Sequence, residues 1–81
     1  MWFVYILKCS DNTFYTGVTT DLERRLLEHN TSIKSAKYTR MRRPVILIYS
    51  KNVNTKSEAC IEEYRIKQLT RKQKEELIKN I

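Results

Sequence analysis

The chain has 81 residues, which suffices for one domain, residues 1–81, with a single core and leaves no room for a separate specificity module. Its 16 Lys and Arg against 9 Asp and Glu give a net charge of +7, so nucleic acid is the expected partner, although small basic proteins without a polyanionic partner exist. The chain has two cysteines, Cys9 and Cys60, and one histidine, which are too few for a zinc site, so we expect buried free thiols in a reducing compartment. No apolar run approaches about 18 residues, so we expect a soluble, cytoplasmic protein that does not enter a membrane.

Three strands are predicted. Residues 2 to 9, WFVYILKC, are aromatic or apolar on both alternating faces, which predicts a strand covered on both sides. The sequence SDNT then favours a turn, and residues 14 to 18, FYTGV, are expected to form the hairpin partner. Residues 45 to 52, VILIYSKN, follow Pro44 and are expected to form the third strand.

Three helices are predicted from capping boxes, in which a threonine is followed three residues later by Glu or Gln. The pairs are Thr20 with Glu23, Thr55 with Glu58, and Thr70 with Gln73. The helices are expected over 21 to 30, from 55 to about 69 and from 70 to about 80, with residues 31 to 43 as a polar loop. The order ββαβαα predicts an α/β domain of the α+β type, in which a small, mainly antiparallel sheet packs against helices.

Two of these helices turn charged or titratable side chains toward their apolar sides. At about 100° per residue, Arg25 and His29 share one face with the leucine stripe of the first helix. On the second helix, Glu63 lies on the side that is expected to face the sheet. A buried carboxylate needs a cation, a hydrogen-bond network or a metal ion, so these inward positions call for a chemical explanation.

The chemistry compatible with this residue set is that of phosphate diesters. One histidine, no paired cysteines and no G-x-S-x-G give little support to a hydrolytic triad, and a single glycine excludes the Walker A and dinucleotide-binding loops. Arginine suits the nonbridging oxygens of a phosphate, and a carboxylate can hold one hard divalent ion. Tyr5 and Tyr15, in adjacent strands, can donate or accept a proton, and Gly17 allows close approach of the backbone to a ligand.

The spacing of these residues resembles that of the GIY-YIG nuclease domain. Phe3-Val4-Tyr5 is followed after nine residues by Tyr15-Thr16-Gly17, then by Arg25 and His29. Glu63 matches the metal-binding glutamate of the family. The resemblance covers nearly the whole chain and is specifically to the small stand-alone bacterial members, through YILKCSDNTFYTGVTTDLERRLLEHN, AKYTRMRRPV and KSEACIEEYRIKQLTR.

The resemblance implies a three-stranded antiparallel sheet flanked by helices and metal-dependent hydrolysis of a DNA phosphodiester. Glu63 would bind one Mg²⁺ or Mn²⁺ ion. Tyr5 would assist in activating the attacking water, with His29 or Tyr15 as the proton acceptor. Arg25 would hold the scissile phosphate, and the glycine of the second tripeptide, Gly17, would keep the site open. A role in DNA repair or maintenance is implied by the resemblance alone.

The chain also departs from the pattern of the family. Phe3 stands where the first tripeptide has glycine, and Thr16 stands where the second has a small aliphatic residue. Many members carry an asparagine a dozen or more residues after the metal-binding glutamate, whereas this chain has Glu75 and Ile78 there and Asn80 near its end. The alternative functions are therefore a nucleic-acid-binding module without turnover and a subunit that is active only with a protein partner.

Each candidate site residue also has a purely structural explanation when it is taken alone. Tyr5 and Tyr15 could simply pack in the sheet. Arg25 and Glu63 could form an ion pair between two helices. His29 could cap the C-terminus of the first helix, and the glycine could serve only a turn. The joint spacing favours a catalytic site over these separate explanations.

The segment KSAKYTRMRR, residues 34 to 43, is predicted to contact nucleic acid because it offers phosphate clamps and one aromatic ring beside the proposed site. DNA is the expected partner and RNA the alternative. Any selectivity is expected to be for structure rather than for sequence. The predicted contacts are Lys34, Lys37, Tyr38, Arg40, Arg42 and Arg43.

Overall fold

The computed structural model describes residues 1–79 and contains three strands and four helices. The strands are β1 (Trp2–Lys8), β2 (Phe14–Thr19) and β3 (Ile46–Val53), and the helices are α1 (Leu22–Thr31), α2 (Lys37–Arg40), α3 (Lys56–Lys67) and α4 (Arg71–Lys79). The strands form one antiparallel sheet in the order β2-β1-β3. This confirms the predicted fold class. The predicted end of the last helix near Asn80 lies outside the described residues.

Strand β1 is the central strand and is covered on both faces, as its composition predicts. The four consecutive side chains of residues 4 to 7 are buried. The turn that joins β1 to β2 places Asn12 at φ 68°, a left-handed conformation that asparagine tolerates better than most residues. The Asp11 carboxylate accepts hydrogen bonds from the backbone N–H and the hydroxyl of Thr13, which holds the turn closed.

Helices cover both faces of the sheet and create two apolar clusters. On one face, Val4 and Ile6 of β1 pack against Ala59 and Ile66 of α3. On the other face, residues of β1 that include Tyr5 pack against the leucines of α1. The residues that the sequence analysis placed at the site on β1 and α1 therefore meet at the second face.

Two of the three predicted helix caps are present. Thr55 accepts a hydrogen bond from the backbone N–H of Glu58, and Thr70 and Gln73 make both bonds of a capping box. The first prediction is wrong in detail. The cap of α1 is Asp21, whose carboxylate accepts from the backbone N–H of Arg24 at 3.0 Å. A carboxylate also interacts favourably with the positive end of the helix dipole, which a threonine hydroxyl cannot match.

Two further expectations need correction. Cys9 is buried as predicted, but Cys60 is exposed because it follows the buried Ala59 on α3 and points about 100° away from it. Residues 31 to 43 are not only a loop, because α2 forms one helical turn within them.

In the part of the chain described here, residues 1–79, no helix has the length and apolar character needed to span a membrane.

Candidate active site

Tyr5 and His29 form a buried hydrogen bond at the centre of the second face. Tyr5 lies on the central strand, and His29 lies on the inner side of α1 and is fully buried. The Tyr5 hydroxyl is 2.8 Å from His29 Nε2. The helix thus places its histidine against the sheet tyrosine, and His29 does not serve as an exposed cap of the helix C-terminus.

Gly17 is required for the placement of Tyr5. The two residues are direct neighbours across β1 and β2. A Cβ atom at position 17 would lie 2.5 Å from the Tyr5 hydroxyl oxygen and 2.7 Å from the ring carbon Cζ. Any other residue would therefore displace the phenol, so the glycine serves the site and not only a turn.

Tyr15 forms the wall of the site next to His29. Its ring meets the imidazole edge to face, with the ring centres 5.3 Å apart. On its other side, Tyr15 stacks with Tyr38, and Arg42 lies 3.9 Å above the centre of the Tyr38 ring. Arg42 also pairs with Asp11 at 2.9 Å. The structure thus brings Tyr38 and Arg42 to the site, where they extend the aromatic wall.

Arg25 borders the phenol from the inner face of α1. Its guanidinium donates to the Glu28 carboxylate at 3.0 Å and to the carbonyl of Lys34 at 3.3 Å. Together with Tyr5 it lines a crevice between α1 and the sheet. The alternative ion pair between Arg25 and Glu63 is absent from the described residues, since the carboxylate partner of Arg25 is Glu28.

Glu63 is the candidate metal ligand. It lies on α3, which packs against the other face of the sheet, and its link to the site is its charge, which acts on Tyr5. Its side chain is 24% exposed and pairs with Lys67 at 3.4 Å. Within residues 1–79 no group of three or more His, Cys, Asp or Glu side chains is arranged to hold a metal ion. Mg²⁺ is commonly held by one or two carboxylates together with water and substrate phosphate. A single partly exposed carboxylate fits an ion of that kind, and it does not fit a metal that is enclosed by protein ligands.

Burial sets the protonation states of the Tyr5–His29 pair. It raises the pKa of Tyr5 to about 12, with Arg25 opposing the rise and the charge of Glu63 adding to it. Burial and the positive charge of Arg25 lower the pKa of His29 to about 4, and Glu28 opposes that shift. At neutral pH the phenol is protonated and the imidazole is neutral, so the imidazole can accept a proton.

The basic segment, residues 34 to 43, divides into an exposed part and a part that is built into the fold. Lys34, Lys37 and Arg40 are exposed and available to a ligand. Arg43 has a structural role that the sequence does not predict. Its guanidinium donates to the carbonyls of His29 and Ser32, among the last carbonyls of α1 and its cap. Because these bonds hold the end of α1, Arg43 supports the site from inside the protein.

Two residues that support the site are not predicted from the sequence. Thr39 of α2 is fully buried, and its hydroxyl is 2.7 Å from His29 Nδ1. The side-chain amide of Asn30 bonds both backbone polar groups of Val45, at 2.8 Å and 3.0 Å, and ties the end of α1 to the start of β3. An asparagine near a predicted helix end is a recognisable capping signal, but no sequence signal connects Thr39 to His29.

The fold and the site together define a GIY-YIG domain. A family model described as the GIY-YIG catalytic domain matches residues 1–76. The chain therefore belongs to the GIY-YIG family, which is a family of nucleases.

Among known proteins, the chain is similar to small proteins that carry the name UPF0213. A UPF0213 protein of Desulfotalea psychrophila is 54% identical over 78 residues, which cover 96% of this chain and 71% of that protein. One from Halobacterium salinarum is 56% identical over 77 residues, which cover 95% and 99%. The solution NMR structure of a UPF0213 protein from Bacillus halodurans has a TM-score of 0.62 at 46% identity, covering 98% of this chain and 84% of that one.

Proposed function

We propose that this protein is a divalent-metal-dependent nuclease that hydrolyses phosphodiester bonds of DNA. The observation that carries the proposal is the buried hydrogen bond of 2.8 Å between the Tyr5 hydroxyl and His29 Nε2, beside the Arg25 guanidinium. A phenol that is bonded to a neutral imidazole can pass its proton on and accept another from water. The arginine supplies donors for the oxygens of the phosphate that the water attacks.

In the proposed reaction, the oxygen of a water molecule attacks phosphorus as its proton passes to the Tyr5 oxygen. The Tyr5 proton moves to His29, and the bond from phosphorus to the leaving oxygen breaks. That oxygen takes a proton from solvent. Arg25 neutralises the charge that develops on the nonbridging oxygens. Of the two proton acceptors considered for Tyr5, the geometry favours His29 over Tyr15, because His29 is the residue bonded to the phenol.

Glu63 would hold the Mg²⁺ or Mn²⁺ ion. When bound, such an ion stabilises negative charge on the leaving oxygen. For Glu63 to bind it, the carboxylate has to exchange its contact with Lys67. That contact is 3.4 Å long and half exposed on the lysine side, so the exchange costs little.

DNA is favoured as the substrate by the charge of +7 and by the exposed Lys34, Lys37 and Arg40 near the site. Contacts of this type are made to phosphates and not to base edges, so selectivity for DNA structure is proposed over selectivity for sequence. A role in DNA repair or maintenance is proposed from membership of the family.

The test is a cleavage assay on single-stranded, duplex, nicked and branched DNA in Mg²⁺, in Mn²⁺ and in EDTA. Tyr5→Phe, Arg25→Ala and Glu63→Gln are each expected to lower the rate by about 100-fold or more. The matched controls Tyr64→Phe, Arg24→Ala and Glu76→Gln change exposed residues of the same types and are expected to retain activity. Circular dichroism checks the fold of each variant. Cleavage that persists in EDTA or in Tyr5→Phe would refute the proposed site.

A nucleic-acid-binding module, or a subunit that is active only with a partner, is the second candidate function. It is favoured by the position of Glu63, which within residues 1–79 is not grouped with two further metal-ligating side chains, so most of the coordination of a metal ion is left to water and substrate. Under this reading the protein binds all of the DNA forms equally well with and without metal and cuts none of them. Detectable metal-dependent cleavage by the isolated chain would exclude it.

A further inference from the structure

His29 has a second partner that the proposed reaction does not use. Thr39 lies on α2, a single helical turn, and its hydroxyl is 2.7 Å from His29 Nδ1. The same hydroxyl is 2.9 Å from the carbonyl oxygen of Ala36. The imidazole is therefore held at both of its nitrogens, by Tyr5 on one side and by Thr39 on the other.

The number of hydrogens in this chain of contacts fixes its direction. A threonine hydroxyl has one hydrogen to donate, and a carbonyl oxygen can only accept. The Thr39 hydroxyl therefore donates its hydrogen to the carbonyl oxygen of Ala36, because two oxygens 2.9 Å apart without a hydrogen between them repel each other. The hydroxyl must then accept from His29, so the ring proton of the neutral imidazole is on Nδ1 and Nε2 is free to accept.

The surroundings of Tyr5 lead to the same direction. The Arg25 guanidinium beside the phenol can only donate. The phenol hydrogen is therefore directed to His29 Nε2. The other polar groups around the imidazole do not decide between its two forms: Tyr15 of β2 meets the ring edge to face, while Glu28 of α1 and Arg43 before β3 act on it through their charges.

We propose that Thr39 is a positioning residue that holds His29 in the Nδ1-protonated form and so makes Nε2 the acceptor of the Tyr5 proton. The consequence for catalysis rests on the proposed nuclease function, whereas the effect on the imidazole does not. Thr39 lies between the exposed Lys37 and Arg40 on α2. Helix α2 would therefore contact phosphates through its exposed side chains and orient the proton acceptor, His29, through its buried threonine.

Nitrogen NMR of the imidazole tests the proposal directly. The chain has one histidine, so the ring ¹⁵N signals of a labelled sample belong to His29 without assignment. At pH 7 the wild type is expected to show a protonated Nδ1 and an unprotonated Nε2. Thr39→Ser keeps the hydroxyl and is expected to give the same spectrum. Thr39→Val keeps the shape without the hydroxyl and is expected to show protonation of Nε2 or a mixture of both forms.

Tyr5→Phe provides a second test that does not depend on the folding of Thr39→Val. If Thr39 sets the imidazole, the proton stays on Nδ1 when the phenol hydroxyl is removed. A proton on Nε2 in the wild type would overturn the proposal. So would a proton that leaves Nδ1 in Tyr5→Phe but stays on Nδ1 in Thr39→Val.

In the cleavage assay, Thr39→Val is expected to lower kcat by about 10-fold to 1000-fold with little change in KM, and Thr39→Ser is expected to restore it. If Thr39→Val alters the ring spectrum but not kcat, the positioning role in catalysis is refuted. If the wild type cuts no DNA, the proposed function fails while the spectrum still decides the role of Thr39 at the imidazole.

Discussion

Replacing Gly17 by alanine should damage the site through a single methyl group. The new Cβ would lie 2.5 Å from the Tyr5 hydroxyl oxygen, where nonbonded atoms need about 3.5 Å. The phenol therefore has to move by about 1 Å. A hydrogen bond of 2.8 Å does not survive such a shift unless His29 moves too, and His29 is fully buried.

We expect a loss of about 2 kcal/mol in the free energy of unfolding, from overpacking and from the weakened hydrogen bond. For a domain of this size, that lowers Tm by roughly 8 to 16 °C. The cleavage rate should fall by about 100-fold, which is a typical cost of misplacing a catalytic group by about 1 Å.

Urea unfolding of the wild type, Gly17→Ala, Tyr5→Phe and the double variant measures the effect. Tyr5→Phe removes the hydrogen bond to His29 that Gly17→Ala weakens, so the two single losses count that bond twice. The double variant should therefore be about 0.5 to 1 kcal/mol more stable than the sum of the two single losses predicts. Additive losses, or a Gly17→Ala variant as stable as the wild type, would show that Gly17 does not constrain the position of Tyr5.

Three further predictions test other parts of the structure. Burial depresses the pKa of His29 from 6.5 to about 4, so the neutral imidazole stabilises the folded state fully above pH 6.5. This stabilisation, about 3 kcal/mol, is lost as the pH falls toward 4. The pH dependence of the free energy of unfolding should therefore be flatter in His29→Gln. Asp21→Ala should cost about 1 kcal/mol in urea unfolding and Thr20→Ala much less, and the reverse order would refute the assignment of the cap. If Lys37 contacts phosphate, Lys37→Ala should lower the slope of log K against log salt for duplex DNA by about 0.9, whereas an unchanged slope would remove that contact.

The sequence predicts the regular elements because their signals are local. Alternation and apolar runs identify the three strands to within one or two residues, and the capping boxes at Thr55 and Thr70 place the starts of α3 and α4. The inward direction of Arg25 and His29 follows from helical periodicity alone. The joint spacing of the tyrosines, the glycine and the glutamate was enough to indicate the family.

The parts that could not be predicted depend on contacts between distant segments. Helix α2 has four residues, which are too few for a periodic pattern. Its place in the fold depends on the contact of Thr39 with His29, which lies ten residues earlier in the chain. Arg43 is a residue type that commonly binds phosphate, and only the fold shows that its Nε and Nη2 donors are bonded at the end of α1. A count of basic residues in a loop therefore overestimates the surface available to DNA.

The electrostatics of His29 connect the fold to the proposed reaction. After burial, the main cause of its low pKa is the positive charge of Arg25. In the proposed complex, a phosphate bound to Arg25 would offset that charge, and the pKa of His29 would rise toward its ordinary value. Tyr5 would then face a stronger base when substrate is present. The imidazole would in this way be neutral in the free state and more basic in the complex. Inorganic phosphate or a short DNA should therefore raise the pKa of His29 in the wild type and not in Arg25→Ala; equal shifts in both proteins would remove this link.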